Sequence, residues 1–163
     1  MSGVVADTGP LIALAKIGLL ALPSRLCGQT ILPETVLREC QIQVRRADAQ
    51  IIAAAIEAET LTVQPDVDWP LTHAKPAIDS GELAALSLAL HLKVPLLLDE
   101  SRGRKAARRF GVPLIGVCGL LLAAKREGWI GDIAPLLDVL RRQGYYISDN
   151  LCASVLVAAC ESP

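Results

Sequence analysis

Short, continuously apolar runs alternate along this chain with longer stretches in which apolar residues recur at helical spacing. Val4-Val5-Ala6 reads as a brief strand that stops at Asp7, and Pro10 to Ala15 follows as a helix. Thr30-Ile31-Leu32 predicts a second strand, ended by Pro33, which suits the first turn of a helix running toward Val44. Ala and Ile keep helical spacing from Ala47 to Glu59, and Leu61-Thr62-Val63 is the next short strand. Asp79-Ser80-Gly81-Glu82 opens a helix that ends near His91. Pro95-Leu96-Leu97-Leu98 is wholly apolar and stops at Asp99, as strands do in sheets covered on both faces. A helix over Ser101–Phe110, a strand over Pro113–Val117 and three further helical stretches complete the pattern. Gly128 and Gly144 punctuate those stretches, and Asn150 begins the last. Residues 65–77, with Pro65, Pro70 and Pro76, are the one irregular segment and mark no domain boundary.

The βαβα order implies a mostly parallel sheet wrapped by helices, because parallel neighbours need crossover connections. A chain of 163 residues fits one domain and can bury a real core without disulfide or metal staples. With 52% hydrophobic and only 3% aromatic residues, Ala, Leu, Ile and Val must do the packing. The five cysteines are odd in number and widely spaced, and neither His73 nor His91 lies near one, so they read as reduced, buried small hydrophobes and not as zinc ligands. The longest apolar segment, Leu114 to Ala124, is too short to span a bilayer. No secretory leader pattern precedes Asp7, so the expected location is the cytoplasm, with no membrane association. A net charge of −1 excludes general adhesion to nucleic acid and requires any such contact to be local.

The candidate chemistry lies in the acids. In an open parallel sheet, ligands bind beyond the carboxyl ends of the strands. Asp7 and Asp99 both end strands, and the helix carrying Glu82 should begin at that same edge because it precedes the strand ending at Asp99. Converging carboxylates repel unless a cation or shared protons relieve them, and an all-oxygen set favours Mg2+ or Mn2+. Metals held this way promote hydrolysis of a phosphoester. Each acid also has a plain structural explanation. Asp7 and Asp99 can cap the helices that follow them, Glu82 sits at capping-box spacing from Asp79, and Glu39, in a helix beside Arg38, can be a solvated surface residue. Residue by residue, the sequence supports an acidic rim with room for a metal.

Four blocks resemble a known family. Val4-Val5-Ala6-Asp7-Thr8-Gly9-Pro10-Leu11 is similar to the opening strand of PIN domains, with its terminal aspartate and following small polar residue. Pro33 to Glu39 resembles the segment that ends in that family's second acid. Asp79-Ser80-Gly81-Glu82-Leu83-Ala84 resembles a branch with a Gly-Glu pair, and Leu96-Leu97-Leu98-Asp99-Glu100-Ser101-Arg102-Gly103 its fourth acidic segment. The resemblance implies a single PIN-like domain over 1–163 with a three-layer α/β/α sandwich. It also implies catalytic Asp7, Glu39, Glu82 and Asp99, a Mg2+ or Mn2+ cofactor on Asp7, Asp99 and Glu82, and endoribonuclease activity on single-stranded RNA. Small bacterial members of the virulence-associated protein C group are toxins of toxin–antitoxin pairs, which implies a cognate antitoxin and a homodimer. This chain departs from the commonest pattern at Glu82, where an aspartate is usual, and at Leu97-Leu98-Asp99-Glu100, where Glu100 stands ready to share the ligand role of Asp99.

Arg102, Arg104, Lys105 and Arg108 follow Asp99, and the last three share one helical face that can hold an RNA backbone or simply be solvated. Trp69 and Trp129 stand alone and offer no base-stacking platform. The apolar C-terminal stretches, Pro135–Leu140 and Leu151–Ala159, serve core burial or a partner surface. Two other functions compete with the nuclease: a PIN-like partner-binding module without nuclease activity, and a nucleotide-binding domain. The latter lacks support, since Asp7-Thr8-Gly9-Pro10 has none of the Lys and Ser/Thr of a phosphate-binding loop.

Overall fold

The computed structural model describes residues 2–43 and 46–163. Within them the elements run β1 (Gly3–Ala6), α1 (Thr8–Lys16), α2 (Leu22–Cys27), β2 (Gln29–Pro33), α3 (Glu34–Gln43), α4 (Arg46–Glu57), β3 (Leu61–Gln64), α5 (Ser80–Leu92), β4 (Leu96–Leu97), α6 (Ser101–Arg109), β5 (Leu114–Ile115), α7 (Val117–Arg126), α8 (Ala134–Arg142) and α9 (Asp149–Ala158). All five strands are parallel, in the order β3-β2-β1-β4-β5. The mostly parallel α/β sandwich expected from the alternation is the observed architecture; the inner strands β1, β2 and β4 are buried because helices cover both faces, while the edge strands β3 and β5 are mostly half-buried.

Strand order decides where a site can form. The chain leaves β1 toward β2 and β3, then returns through α5 to lay β4 on the other side of β1. The connections after β1 and β4 therefore diverge, and a crevice opens at the carboxyl ends of these two neighbours. Register fixes what stands there. Ala6 pairs with Leu97, and the Asp7 amide donates to the Leu97 carbonyl at 3.0 Å, so Asp7 and Asp99 leave adjacent strands almost level. The core under the crevice is aliphatic, with Val5, Leu11, Ile31, Leu86, Leu96 and Leu121 all essentially inaccessible.

Some details depart from the sequence pattern. Helix α2 is absent from the expected elements, because its six residues bury only Leu22 and Pro23 and show too few turns for a periodic signal. The strand expected over Pro113–Val117 pairs only at Leu114–Ile115, since Gly116 is already the cap of α7 and Val117 its first residue. The helix expected to reach Val44 is described to Gln43, and Val44 lies outside the described residues. Among the cysteines, Cys40 and Cys152 are buried as expected, but Cys27 and Cys118 are only half-buried and Cys160 is exposed. Cys160 lies just past α9 at a positive φ of 58°. No helix among the described residues is long and apolar enough to cross a membrane.

Candidate active site

Asp7 occupies the N-cap position of α1 yet makes no side-chain capping bond, so capping does not explain it. It is 7% exposed, and its Oδ1 is buried without a hydrogen-bond partner. Burial pushes its pKa up to about 7; the Thr8 amide opposes this, while the charges of Asp79, Glu82 and Glu39 add to it.

Glu82 does form the capping box that its spacing suggested. Its amide donates to Asp79 Oδ1 at 2.8 Å and its Oε2 accepts from the Asp79 amide at 3.3 Å, which anchors the first turn of α5. That structural role uses one oxygen only. Oε1 is buried and unpartnered on a side chain that is 3% exposed, and burial, with the Asp79, Glu100 and Glu39 charges, lifts its pKa to about 6. Gly103 of α6 permits this placement, because a Cβ there would lie 3.1 Å from Oε1 and 2.7 Å from Leu98 Cδ2.

Glu39 is not the solvated surface residue that its helix position allows. One oxygen accepts from the Thr8 hydroxyl at 2.9 Å and the other from Ser80 at 3.3 Å, tying α1, α3 and α5 together. Gly81 makes room for it, since a Cβ on Gly81 would stand 2.6 Å from the Glu39 carboxyl carbon. The Gly-Glu pair thus has a physical reason: the glycine admits one acid and the glutamate presents the next. Beneath them, burial and the Asp7 charge push the Cys40 thiol up to about 12, so it stays neutral and inert.

Asp99 stands in different surroundings. It is partly exposed and does not cap α6, whose cap is Glu100. Its Oδ2 accepts instead from the Val117 amide at 3.1 Å, at the start of α7, and from the Tyr145 hydroxyl. Arg104 lies 4.0 Å from its Oδ1 and donates to the Leu98 carbonyl at 2.7 Å. Burial and the Asp99 charge raise the Tyr145 pKa well above its ordinary value, keeping that hydroxyl a donor. Gly116 leaves space for the carboxylate, a Cβ there falling 2.6 Å from Oδ1.

Asp7, Asp99, Glu100 and Tyr145 line one cleft of about 210 Å³. Of the cationic strip, Arg102, Lys105 and Arg108 are exposed on α6, whereas Arg104 is turned into the site. The half-buried tryptophans are occupied elsewhere: Trp69 meets Phe110 edge-on and Trp129 lies under Arg25. Tyr145 and Tyr146 were not among the sequence candidates. The signal was available, since both tyrosines of an aromatic-poor chain stand side by side after a turn glycine.

The oxygen-only donor set and two buried, unpartnered carboxylate oxygens fit a hard divalent cation. Among the described residues, no group of three or more His, Cys, Asp and Glu side chains is assembled as a metal cluster.

The family model described as DUF3368, PIN domain, matches residues 3–161. Among solved structures, a PilT N-terminus domain protein from the hyperthermophilic archaeon Sulfolobus solfataricus is similar in fold, with 15% identity and a TM-score of 0.50 over 74% of this chain and 92% of that one. No curated protein matches.

Proposed function

Because the chain belongs to the PIN-domain family, whose members are generally metal-dependent nucleases, we propose that it is an endoribonuclease cutting single-stranded RNA with Mg2+ or Mn2+. The observation that carries this reading is the pair of buried, unpartnered oxygens, Asp7 Oδ1 and Glu82 Oε1, beside the crevice between β1 and β4. Two acids with raised pKa values at a ligand-binding edge are costly for folding alone and useful to a cation.

In this reading Asp7 and Glu82 hold the ion, with Asp99 or Glu100 reaching it directly or through water. The bound ion supplies a more acidic water and charge neutralisation at the phosphate. Glu39 holds Thr8 and Ser80, and so fixes the backbone on either side of Asp7 and Glu82. Tyr145 and the Val117 amide orient Asp99. Arg102, Lys105 and Arg108 hold the RNA backbone on the exposed side of α6.

The physiological role we propose is that of the toxin in a toxin–antitoxin pair, a cytoplasmic homodimer silenced by its cognate antitoxin. Support for a protein partner comes from an apolar groove of about 750 Å³, lined by Leu26, Leu114, Ile115, Leu120 and Leu151, that runs up to Asp99 and Arg104. One observation favours a second reading, a partner-binding module without nuclease activity: Asp99 is already satisfied by Tyr145 and Val117.

Incubating the purified protein with single-stranded RNA decides between them. Cleavage that requires Mg2+ or Mn2+ and falls by on the order of 100-fold or more in Asp7→Asn is expected of the nuclease. Absence of cleavage with either ion selects the binding module. Cleavage that persists in EDTA, or in Asp7→Asn at full rate, removes the mechanism.

A further inference from the structure

The connection between α8 and α9 carries both tyrosines of the chain. Tyr145 turns inward onto Asp99. Tyr146 turns outward and is 88% exposed, although it borders both the cleft shared by Asp7 and Asp99 and an adjoining one of about 320 Å³. An aromatic ring left in water contributes almost nothing to the core, so folding does not account for its position. The segment that presents it is anchored on both sides. The Tyr145 amide donates to the Leu140 carbonyl at 3.0 Å, Ile147 is buried, and Ser148 caps α9 by accepting from the Leu151 amide at 3.1 Å. The ring is therefore held at the mouth of the acidic cleft on a fixed strap.

We propose that Tyr146 is the base-stacking platform of the site, receiving a nucleobase of single-stranded RNA next to the phosphate presented to the acids. The inference rests on the nuclease reading above and adds the residue that selects single strands. A base in a single strand has a free π-face, whereas a base inside a duplex has both faces covered by its neighbours. With a net charge of −1 the protein lacks a broad electrostatic grip, and its local cations follow from α6. Ser101, the first residue of α6, lines the adjoining cleft that Tyr146 borders, so the helix bearing Arg102, Lys105 and Arg108 starts beside the ring. Backbone charge on one side and a stacking surface on the other form a short track across the acids.

The test compares Tyr146→Ala, Tyr146→Phe and the parent protein on fluorescein-labelled single-stranded RNA of randomised sequence. Cleavage is followed with Mn2+, and binding is followed by anisotropy with Asp7→Asn in every background. Loss of the ring should raise KM and weaken binding by on the order of 10-fold, with Tm unchanged. Tyr146→Phe keeps the π-face and should restore both, and a fully paired duplex should be insensitive to either change. Equal KM and Kd in Tyr146→Ala and the parent, while the parent cuts RNA, overturns the stacking role and leaves the nuclease reading standing. A parent that neither binds nor cuts RNA removes both.

Discussion

The two halves of the acidic rim solve the same electrostatic problem in opposite ways. On the Asp7 side, three acids converge among buried surroundings, and Asp7 and Glu82 each keep an oxygen with no protein partner. On the Asp99 side, a single carboxylate is half open to solvent and is met by a backbone amide, a tyrosine hydroxyl and a nearby guanidinium. The first arrangement leaves two acceptor oxygens open to a proton or a cation. The second is complete within the chain. A carboxylate's neighbours, and not its place at a strand end, therefore decide whether it is available to a ligand.

The largest effect that can sharpen this contrast is a pH dependence of stability without metal. An acid whose folded pKa is raised costs stability once it ionises in the unfolded chain while the folded protein still holds the proton. The penalty from Asp7 is thus absent below its ordinary value of 3.8, grows as pH rises, and is full above about 7. From those two values it approaches about 4 kcal/mol. Glu82 adds in the same direction between its ordinary 4.5 and about 6. Thermal denaturation in EDTA should accordingly show Asp7→Asn gaining stability over the parent as pH rises from 4 to 7. Mn2+ at pH 8 should raise the Tm of the parent but not of Asp7→Asn. A difference between the two proteins that stays flat with pH would erase the contrast.

A smaller effect comes from Gly81→Ala. The new methyl displaces only the end of the flexible Glu39 side chain, and alanine favours a helix by up to about 1 kcal/mol over glycine, so the fold should hold. Displacing Glu39 breaks its ties to Thr8 and Ser80. RNA cleavage should fall by on the order of 10-fold with an unchanged Tm, the cost of slight misplacement at a reacting centre. Equal activity would mean that Glu39 holds nothing the chemistry needs. The smallest change is Tyr145→Phe, which removes a hydrogen bond to a partly exposed carboxylate. It should cost about 1 kcal/mol in urea denaturation, because solvent replaces much of the lost bond. A loss as large as that expected from the Asp7 charge would show that the Tyr145 bond matters as much to the fold as the Asp7 burial, and would erase the contrast.

Periodicity and strand ends alone place Asp7, Glu82 and Asp99 on one edge. Parallel βαβ geometry leaves few other places for residues that end strands or begin the returning helix. The same local patterns made Asp99 a cap for the helix that follows it, whereas its amide partner belongs to Val117, eighteen residues on. Glu39 entered the site only through family resemblance, because nothing local in a helix says that Gly81, forty-two residues away, will make room for its carboxylate.

The sequence by itself determined the parallel α/β frame, the acidic edge and the Asp79–Glu82 capping box. These follow from periodicity and near-neighbour hydrogen bonds, which short stretches encode. Only the tertiary structure decided which oxygens are left without partners, and that Tyr145 and Tyr146 border the same cleft. Both depend on contacts between distant segments, and burial and charge are set by everything that packs around a group.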